Sequence, residues 1–381
     1  MTLDDERDTM PPTYEKLTVG IAGAGAVAFA TAACLENAGH RAILWSPSGQ
    51  STKRLAAGES LMAQGALEGA FRPGVALSAQ DLVATSDVIV LALPGYGHKM
   101  VLDAIAPHLR EGQPVIISSH ASFGALYLLQ QVARRGVRLP VTVWGTTLAT
   151  ARQPDLATVS VNTIRSKIDL ATVPVSQSDA GLALCQTLFG DRFVLRDDLL
   201  AISLSNLNPQ NHMGIALCNM TRMEHGETWS QGGNVTPNVG RLMEALDAER
   251  VAIAAALGLK VRTIFEHYHL SYHVPVAPIA EMNAELHRKG IGGQGPATAD
   301  SRYVTEDVPY GLAVTAALGK LAGHPAVLHQ AGVDLFSAMY RRDFLAENTL
   351  LSEIGLDRLT LDQLRQACHD GRLPSHEKTG V

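Results

Sequence analysis

The sequence predicts an α/β protein: an N-terminal doubly wound, Rossmann-type domain followed by a mainly α-helical C-terminal domain. Three observations predict it. From Leu17 onward, short Val- and Ile-rich runs alternate with helix-length segments. The first of these runs ends in a glycine fingerprint, and beyond Asp197 the strand pattern gives way to helical periodicity. At 381 residues the chain is long enough for two cores, and its 46% hydrophobic content supplies the material to fill them.

Residues 1–16 are polar and acidic and read as a disordered extension, without the basic start and apolar stretch of a signal peptide. LTVGIAG, RAILWS, DVIVLALP, PVIISS and VTVWGTT then read as buried parallel strands. Each is short and β-branched and runs into Gly, Pro, Ser or Thr. The helical segments between them imply right-handed crossovers. TVSVNTIRSKIDLATVP alternates like a half-exposed antiparallel hairpin at the sheet edge, which closes a dinucleotide-binding domain over residues 17–198. The helical domain is expected over 199–370. Its clearest helix has Thr236 as N-cap and Pro237 in first position, with Gly258 as the stop. Val239, Leu242, Met243, Leu246 and Ile253 form its apolar stripe, and Arg241, Glu244, Asp247 and Glu249 its wetter side. Residues 289–301 read as a mobile Gly-rich loop and residues 371–381 as a frayed tail.

Composition removes several function classes. A net charge of -6, with no run of Lys and Arg, offers no footprint for nucleic acid. The longest apolar runs fall short of the ~20 residues that span a bilayer, so no membrane partner is expected. Cys34, Cys185, Cys218 and Cys368 are scattered, without a CxxC pair. They read as buried hydrophobes in a reducing compartment, which makes the protein cytoplasmic.

The first strand runs into Gly23-Ala24-Gly25-Ala26-Val27-Ala28, the G-x-G-x-x-A form of the dinucleotide fingerprint. Gly23 permits the tight turn, Gly25 lets the backbone approach a pyrophosphate, and Ala28 keeps the helix close to the sheet. The helix that follows, opening at Ala26 and Val27, offers free N–H groups and the positive end of its dipole. An enzyme that selects NAD usually places Asp or Glu at the end of the second strand. Here Ser46 stands at that end, with Lys53 and Arg54 downstream. Absence of the acid removes a repulsion against a 2′-phosphate, and the two cations could hold one; read plainly, they are solvated helix charges. NADP(H) is therefore favoured and NAD(H) stays open. Pro94 and Gly95, after the VIVLAL strand, belong to a loop at the carboxyl edge of the sheet that passes the cofactor. His98 and His120 occupy such loops and read equally well as solvent-exposed.

In the second domain, Asn208-Pro209-Gln210-Asn211-His212 opens a helical run, and Ser301-Arg302-Tyr303-Val304-Thr305-Glu306-Asp307 comes much later. Hydride transfer to a C=N or C=O bond needs a proton donor titrating near neutrality, a partner that orients it, and a cation for a carboxylate. His212, Asp307 and Arg302 supply these residue types. Taken singly they are equally a structural histidine and a salt bridge. At these motifs the sequence resembles the octopine/nopaline (opine) dehydrogenase family. The N-P-x-x-H segment, TPNVGRLMEALDAERVAIAAALGL and GPATADSRYVTEDVPYGL carry the resemblance, which extends from about Leu17 to Leu345. It implies that His212 is the proton relay, that Asp307 orients it, and that Arg302 binds a substrate carboxylate. It implies, too, a reversible reduction of the imine formed between an amino acid and an α-keto acid, giving an N-(carboxyalkyl) amino acid.

Two other readings share the front domain. A hydroxy-acid or ketopantoate-type dehydrogenase would use a catalytic Lys, and neither Lys167 nor Lys260 sits in a matching motif. A non-catalytic NADP(H)-sensing regulator would need no proton relay. His267, His269 and His273 are spaced closely enough to ligate a metal, but no Cys or paired carboxylate accompanies them, so no metal is expected and they could instead line the substrate cleft. Apolar residues of the helical domain leave room for a homodimer.

Overall fold

The computed structural model describes residues 16–374. Residues 1–15 of the expected extension and 375–381 of the expected tail lie outside the described residues. In chain order the strands are β1 (Thr18–Ala22), β2 (Arg41–Trp45), β3 (Leu61–Gly65), β4 (Gly69–Phe71), β5 (Gly74–Val75) and β6 (Val88–Leu91). Then come β7 (Val115–Ile117), β8 (Val141–Trp144), β9 (Ala149–Asp155), β10 (Thr158–Ile164), β11 (Ile168–Val173) and β12 (Phe193–Leu195). Eight of them form one sheet in the order β12-β11-β8-β7-β6-β1-β2-β5. The five runs read as buried strands from the sequence, β1, β2, β6, β7 and β8, are its parallel centre.

Register brings their carboxyl ends level. Ala22 lies opposite both Trp45 and Leu91, Leu91 opposite Ile117, and Ile117 opposite Val143. Strand order reverses at β1, whose neighbours are β2 and β6, so a crevice opens beyond Ala22 where ligands of such sheets bind. Side chains alternate across the sheet. Ile89, Leu91, Val115 and Ile117 enter one core with the Gly124–Ala133 helix, while Val19, Ile21, Val88 and Val90 enter the other with the Ala26–Asn37 helix.

The edge hairpin is a correction. β10 and β11 do not pair with each other. β10 pairs antiparallel with β9 and parallel with β3, in a second sheet of order β4-β3-β10-β9. Its inward residues Val159 and Val161 join the core built around Phe29. β11 instead enters the main sheet between β8 and β12. Ile168 and Leu170 are buried in one core and Ala171 and Val173 in the other, which makes β11 an interior strand. One alternating stretch thus served two sheets, and alternation alone does not say which partner a strand takes.

The helical part packs around Met213, Met243, Leu246, Met282, Val304 and Phe336. The expected helix runs from Pro237 to Ala256, with Val239, Met243, Leu246 and Ile253 buried and Leu242 half-buried. Its wetter side needs a second correction. Asp247 is buried: it pairs with Arg250 at 2.6 Å and accepts the Ile264 N–H at 2.8 Å. Glu249 holds the buried His329 ring at 2.8 Å, and Glu244 accepts the Ile279 N–H. Helix charges that touch neighbouring elements are satisfied there rather than by water. Nor do all residues of 199–370 stay in the helical layer: Leu199, Leu200, Leu364, Ala367 and Cys368 are buried in the sheet core with Leu126 and Leu129. The segment read as a mobile loop packs against residues 229–233. A Cβ on Gly295 would lie 2.2 Å from the Trp229 ring, and Trp229 donates its indole N–H to the Pro296 carbonyl at 3.0 Å.

Candidate active site

A cleft of about 570 Å³ runs from the crevice of the sheet to the helical domain, lined at one end by Val27 and at the other by His212, Arg302 and Asp307. A larger, mainly apolar groove of about 1060 Å³ lies beside the Val327–Tyr340 helix and holds none of the expected catalytic residues.

His212 sits on the Asn208–Cys218 helix, whose entry is shaped by Pro209 in the first turn and by the Asn206 side chain accepting the Asn208 N–H. Pro209 is buried directly against Gly311, where an added Cβ would lie 2.2 Å from the proline ring. Only glycine admits this approach. It places the histidine helix against the wide π-type turn Val308–Leu312, which begins immediately after Asp307. His212 consequently donates Nδ1–H to Asp307 Oδ2 at 2.6 Å, which fixes the tautomer and leaves Nε2 as the nitrogen free to face a reactant. Tyr303 stacks on the ring, with centroids 3.6 Å apart and planes 9° from parallel. Burial pushes the Tyr303 hydroxyl up to about 12, so it stays neutral and donates to Gln231 Oε1 at 2.6 Å. The imidazole is held edge-on by a carboxylate and face-on by an aromatic ring.

Arg302 is exposed at the cleft and ion-pairs with Glu306. The other oxygen of Glu306 accepts the Gly95 N–H at 2.9 Å, across the boundary between the two layers. Gly95 is buried against Tyr310, where a Cβ would meet that side chain at 3.1 Å. The Pro94–Gly95 loop therefore docks on the helical domain, with the Gly95 N–H already given to protein. Asn348 makes a parallel tie, donating to Ser122 Oγ at 2.8 Å and to the Pro309 carbonyl at 2.7 Å.

At the fingerprint, Gly23 has φ +142°, and a Cβ there would lie 2.3 Å from the Ala92 carbonyl oxygen. Ala28 is fully buried under the turn. Gly25 is the N-cap of the Ala26–Asn37 helix, and open space surrounds its Cβ direction. The first N–H groups of this helix have no carbonyl partner within it, and Val27 lines the cleft. A dinucleotide fits this cradle: free donors, a positive helix end and no side chain in the approach. Ser46 follows β2 half-buried, and Lys53 is exposed. Arg54 is engaged elsewhere, with Glu59 at 2.6 Å and Asp155 at 3.1 Å, because both carboxylates reach its guanidinium from neighbouring turns. Service to a 2′-phosphate would require it to leave both acids.

His98 and His120 are buried, which corrects their reading as exposed loop residues. His98 donates to the Leu93 carbonyl, and burial lowers its pKa. Burial, and secondarily the charge of His98, holds His120 down to about 3. His120 lines the cleft in a loop where Ser119, Ser122 and Phe123 all have φ between +53° and +58°. Three non-glycine residues in that region store strain beside the sheet's ligand edge. Of the other histidines, His269 bonds the Val274 carbonyl, His267 is half-buried, and His273 caps its helix in a left-handed conformation.

Sequence reasoning missed Tyr303, Glu306 and Arg165, which also line this cleft. Helical spacing was a signal for the first two, since Tyr303 precedes Asp307, and Arg302 precedes Glu306, by four residues. Arg165, at the end of a strand in the other domain, had none.

Residues 195–340 match the family described as NAD/NADP octopine/nopaline dehydrogenase, alpha-helical domain, and residues 18–121 match NADP oxidoreductase, coenzyme F420-dependent. An opine dehydrogenase of Arthrobacter sp. (strain 1C) is 32% identical over 361 residues, spanning 93% of this chain and 99% of that protein. Octopine dehydrogenase bound to NADH and L-arginine superposes with a TM-score of 0.78 at 17% identity, over 95% of this chain and 100% of that one. Yersinopine dehydrogenase with NADP+ bound gives a TM-score of 0.68 at 17% identity, over 89% and 93%. By the identity and coverage of the Arthrobacter relative, this chain belongs to the opine dehydrogenase family.

Proposed function

We propose that the chain condenses an amino acid with an α-keto acid at the His212 cleft and reduces the resulting imine, using NADP(H) in preference to NAD(H). The observation that carries this reading is His212 itself, oriented by Asp307 with Nε2 left for a reactant and Arg302 beside it. A bound nicotinamide supplies the hydride. The N–H groups at Gly25, Ala26 and Val27 would hold its pyrophosphate. Ser46 with Lys53 would take the ribose end, and the missing acid there supports the NADP(H) preference.

The amino group arrives as an ammonium and must lose one proton before it attacks the keto carbon. His212 Nε2 takes that proton and Asp307 stabilises the imidazolium so formed. The same proton returns to the hydroxyl of the addition product, which leaves as water as the C=N bond forms. Stacking of Tyr303 over the ring holds its plane fixed during the interval. Arg302 exchanges Glu306 for the keto-acid carboxylate. The Gly95–Glu306 contact, made where the two layers meet, helps exclude water, which would otherwise hydrolyse the imine. On this reading the enzyme is cytoplasmic, supported by four free cysteines, and a homodimer, supported by exposed Val327, Leu335, Met339 and Leu345.

The test is a product assay. NADPH should be consumed only when an amino acid and a keto acid are both present. The product mass should equal the two substrates less one oxygen. Consumption with a keto acid alone would point instead to a hydroxy-acid dehydrogenase.

A further inference from the structure

We infer that Arg165 is a second carboxylate-binding residue of this cleft, holding the α-carboxylate of the amino-acid partner while Arg302 holds that of the keto acid. The inference rests on the opine reading. Arg165 follows β10, and its backbone is pinned on both sides: its N–H donates to the Leu148 carbonyl at 3.0 Å and its carbonyl accepts from Arg192 at 2.9 Å. The side chain lines the same cleft as His212 and Arg302. Its Nε is buried without a hydrogen-bond partner among the described residues. Asp169, the acid nearest in sequence, is taken by Arg196 at 2.7 Å and Arg262 at 3.6 Å. Of the acids lining the cleft, Glu306 is paired with Arg302 and Asp307 with His212; among the described residues Asp300 makes no ion pair with Arg165.

A guanidinium keeps its charge when buried, and a buried charge without a counter-ion is costly. Burial indeed acts against the charged form of Arg165, and no carboxylate among the described residues offsets it. The missing anion is one that a ligand brings. An N-(carboxyalkyl) amino acid carries two carboxylates on either side of one secondary amine, and the cleft offers two arginines, one from each domain. Cofactor phosphates are the competing oxyanions, but the Ala26–Asn37 helix already presents donors to them.

The experiment titrates the protein–NADPH complex, which cannot oxidise either probe, with 2,2′-iminodipropionate, which has both carboxylates, and with N-ethylalanine, which has one. Wild type should bind the dicarboxylate about 10- to 100-fold more tightly, the range for a charge-assisted contact. Arg165→Met should reduce that ratio to within about threefold, with NADPH affinity unchanged and a melting temperature at or above that of wild type, since an unpaired buried charge is removed. Arg165→Lys should recover part of it. A ratio left intact in Arg165→Met overturns the assignment, and so does a loss confined to NADPH binding. A wild type that does not distinguish the two probes overturns it together with the dicarboxylate reading of the cleft, a failure that the product assay detects separately.

Discussion

Gly311→Ala places one methyl group where the structure has no room for it. An added Cβ would lie 2.2 Å from Pro209 Cγ and 2.6 Å from its Cβ, against an ordinary contact near 3.4 Å. The turn after Asp307 and the helix of His212 would have to separate by about 1 Å, since neither a proline ring nor a backbone can rotate away. The His212–Asp307 bond, 2.6 Å long, would then be stretched beyond hydrogen-bonding distance. Overpacking of this kind costs about 1–3 kcal/mol of stability, and misplacing a catalytic pair by about 1 Å costs about 10²-fold in rate. Steady-state kinetics with the best amino acid and keto acid, beside a cofactor titration and a melting curve, would measure all three quantities. We expect kcat to fall about 10²-fold while NADPH affinity holds, because the fingerprint's own residues are left untouched. A folded Gly311→Ala protein with more than half the parent's kcat would refute the argument that this contact positions His212.

Gly25→Ala should show the opposite pattern. Nothing lies within 4 Å of its Cβ direction, so melting temperature should hold while NADPH binding weakens at least about tenfold; unchanged binding would remove the pyrophosphate from this site. Ser46→Asp should reverse the cofactor preference by upward of about tenfold, through repulsion of the 2′-phosphate, and equal titration curves for NADPH and NADH in wild type would sink the preference. Acid should destabilise the fold through His120 and His267, whose folded pKa values burial holds down to about 3 and about 4. An unfolded histidine binds its proton near 6.5, so the contribution is intact above that pH and is lost as pH falls toward the folded values. At pH 5 each group should cost about 2 kcal/mol, and urea titrations of His120→Gln should lose that share of the pH dependence.

The centre of the main sheet was legible because β1, β2, β6, β7 and β8 are each buried on both faces, and such strands read as unbroken apolar runs. The Pro237–Ala256 helix was legible from its stripe and its proline. The second sheet was not. β3 and β4 are short and half-exposed, and the strand that joins β3 to the rest of the sheet, β10, is distant in sequence, so no local periodicity connects them. Within the site, His212, Asp307 and Arg302 were found through motifs, and the structure brings all three to one cleft. What no motif carried was the packing that makes them a unit: the Gly311–Pro209 contact, the Tyr303 stack and the Glu306 bridge to Gly95. Arg165 stayed hidden for the same reason, since a strand-end arginine becomes informative only when its neighbours are known to lack an acid.

The most direct test of the account is the turnover of His212→Ala with saturating NADPH and both substrates. His212 is oriented by a carboxylate and open to the cleft, and the condensation requires a proton to be taken up and returned at one place. Loss of a general acid–base group costs about 10²–10⁴-fold. With His212 as the proton relay, kcat should fall by that order with NADPH affinity nearly unchanged; a folded, cofactor-bound His212→Ala protein that keeps more than about half of the parent's turnover would rule that role out.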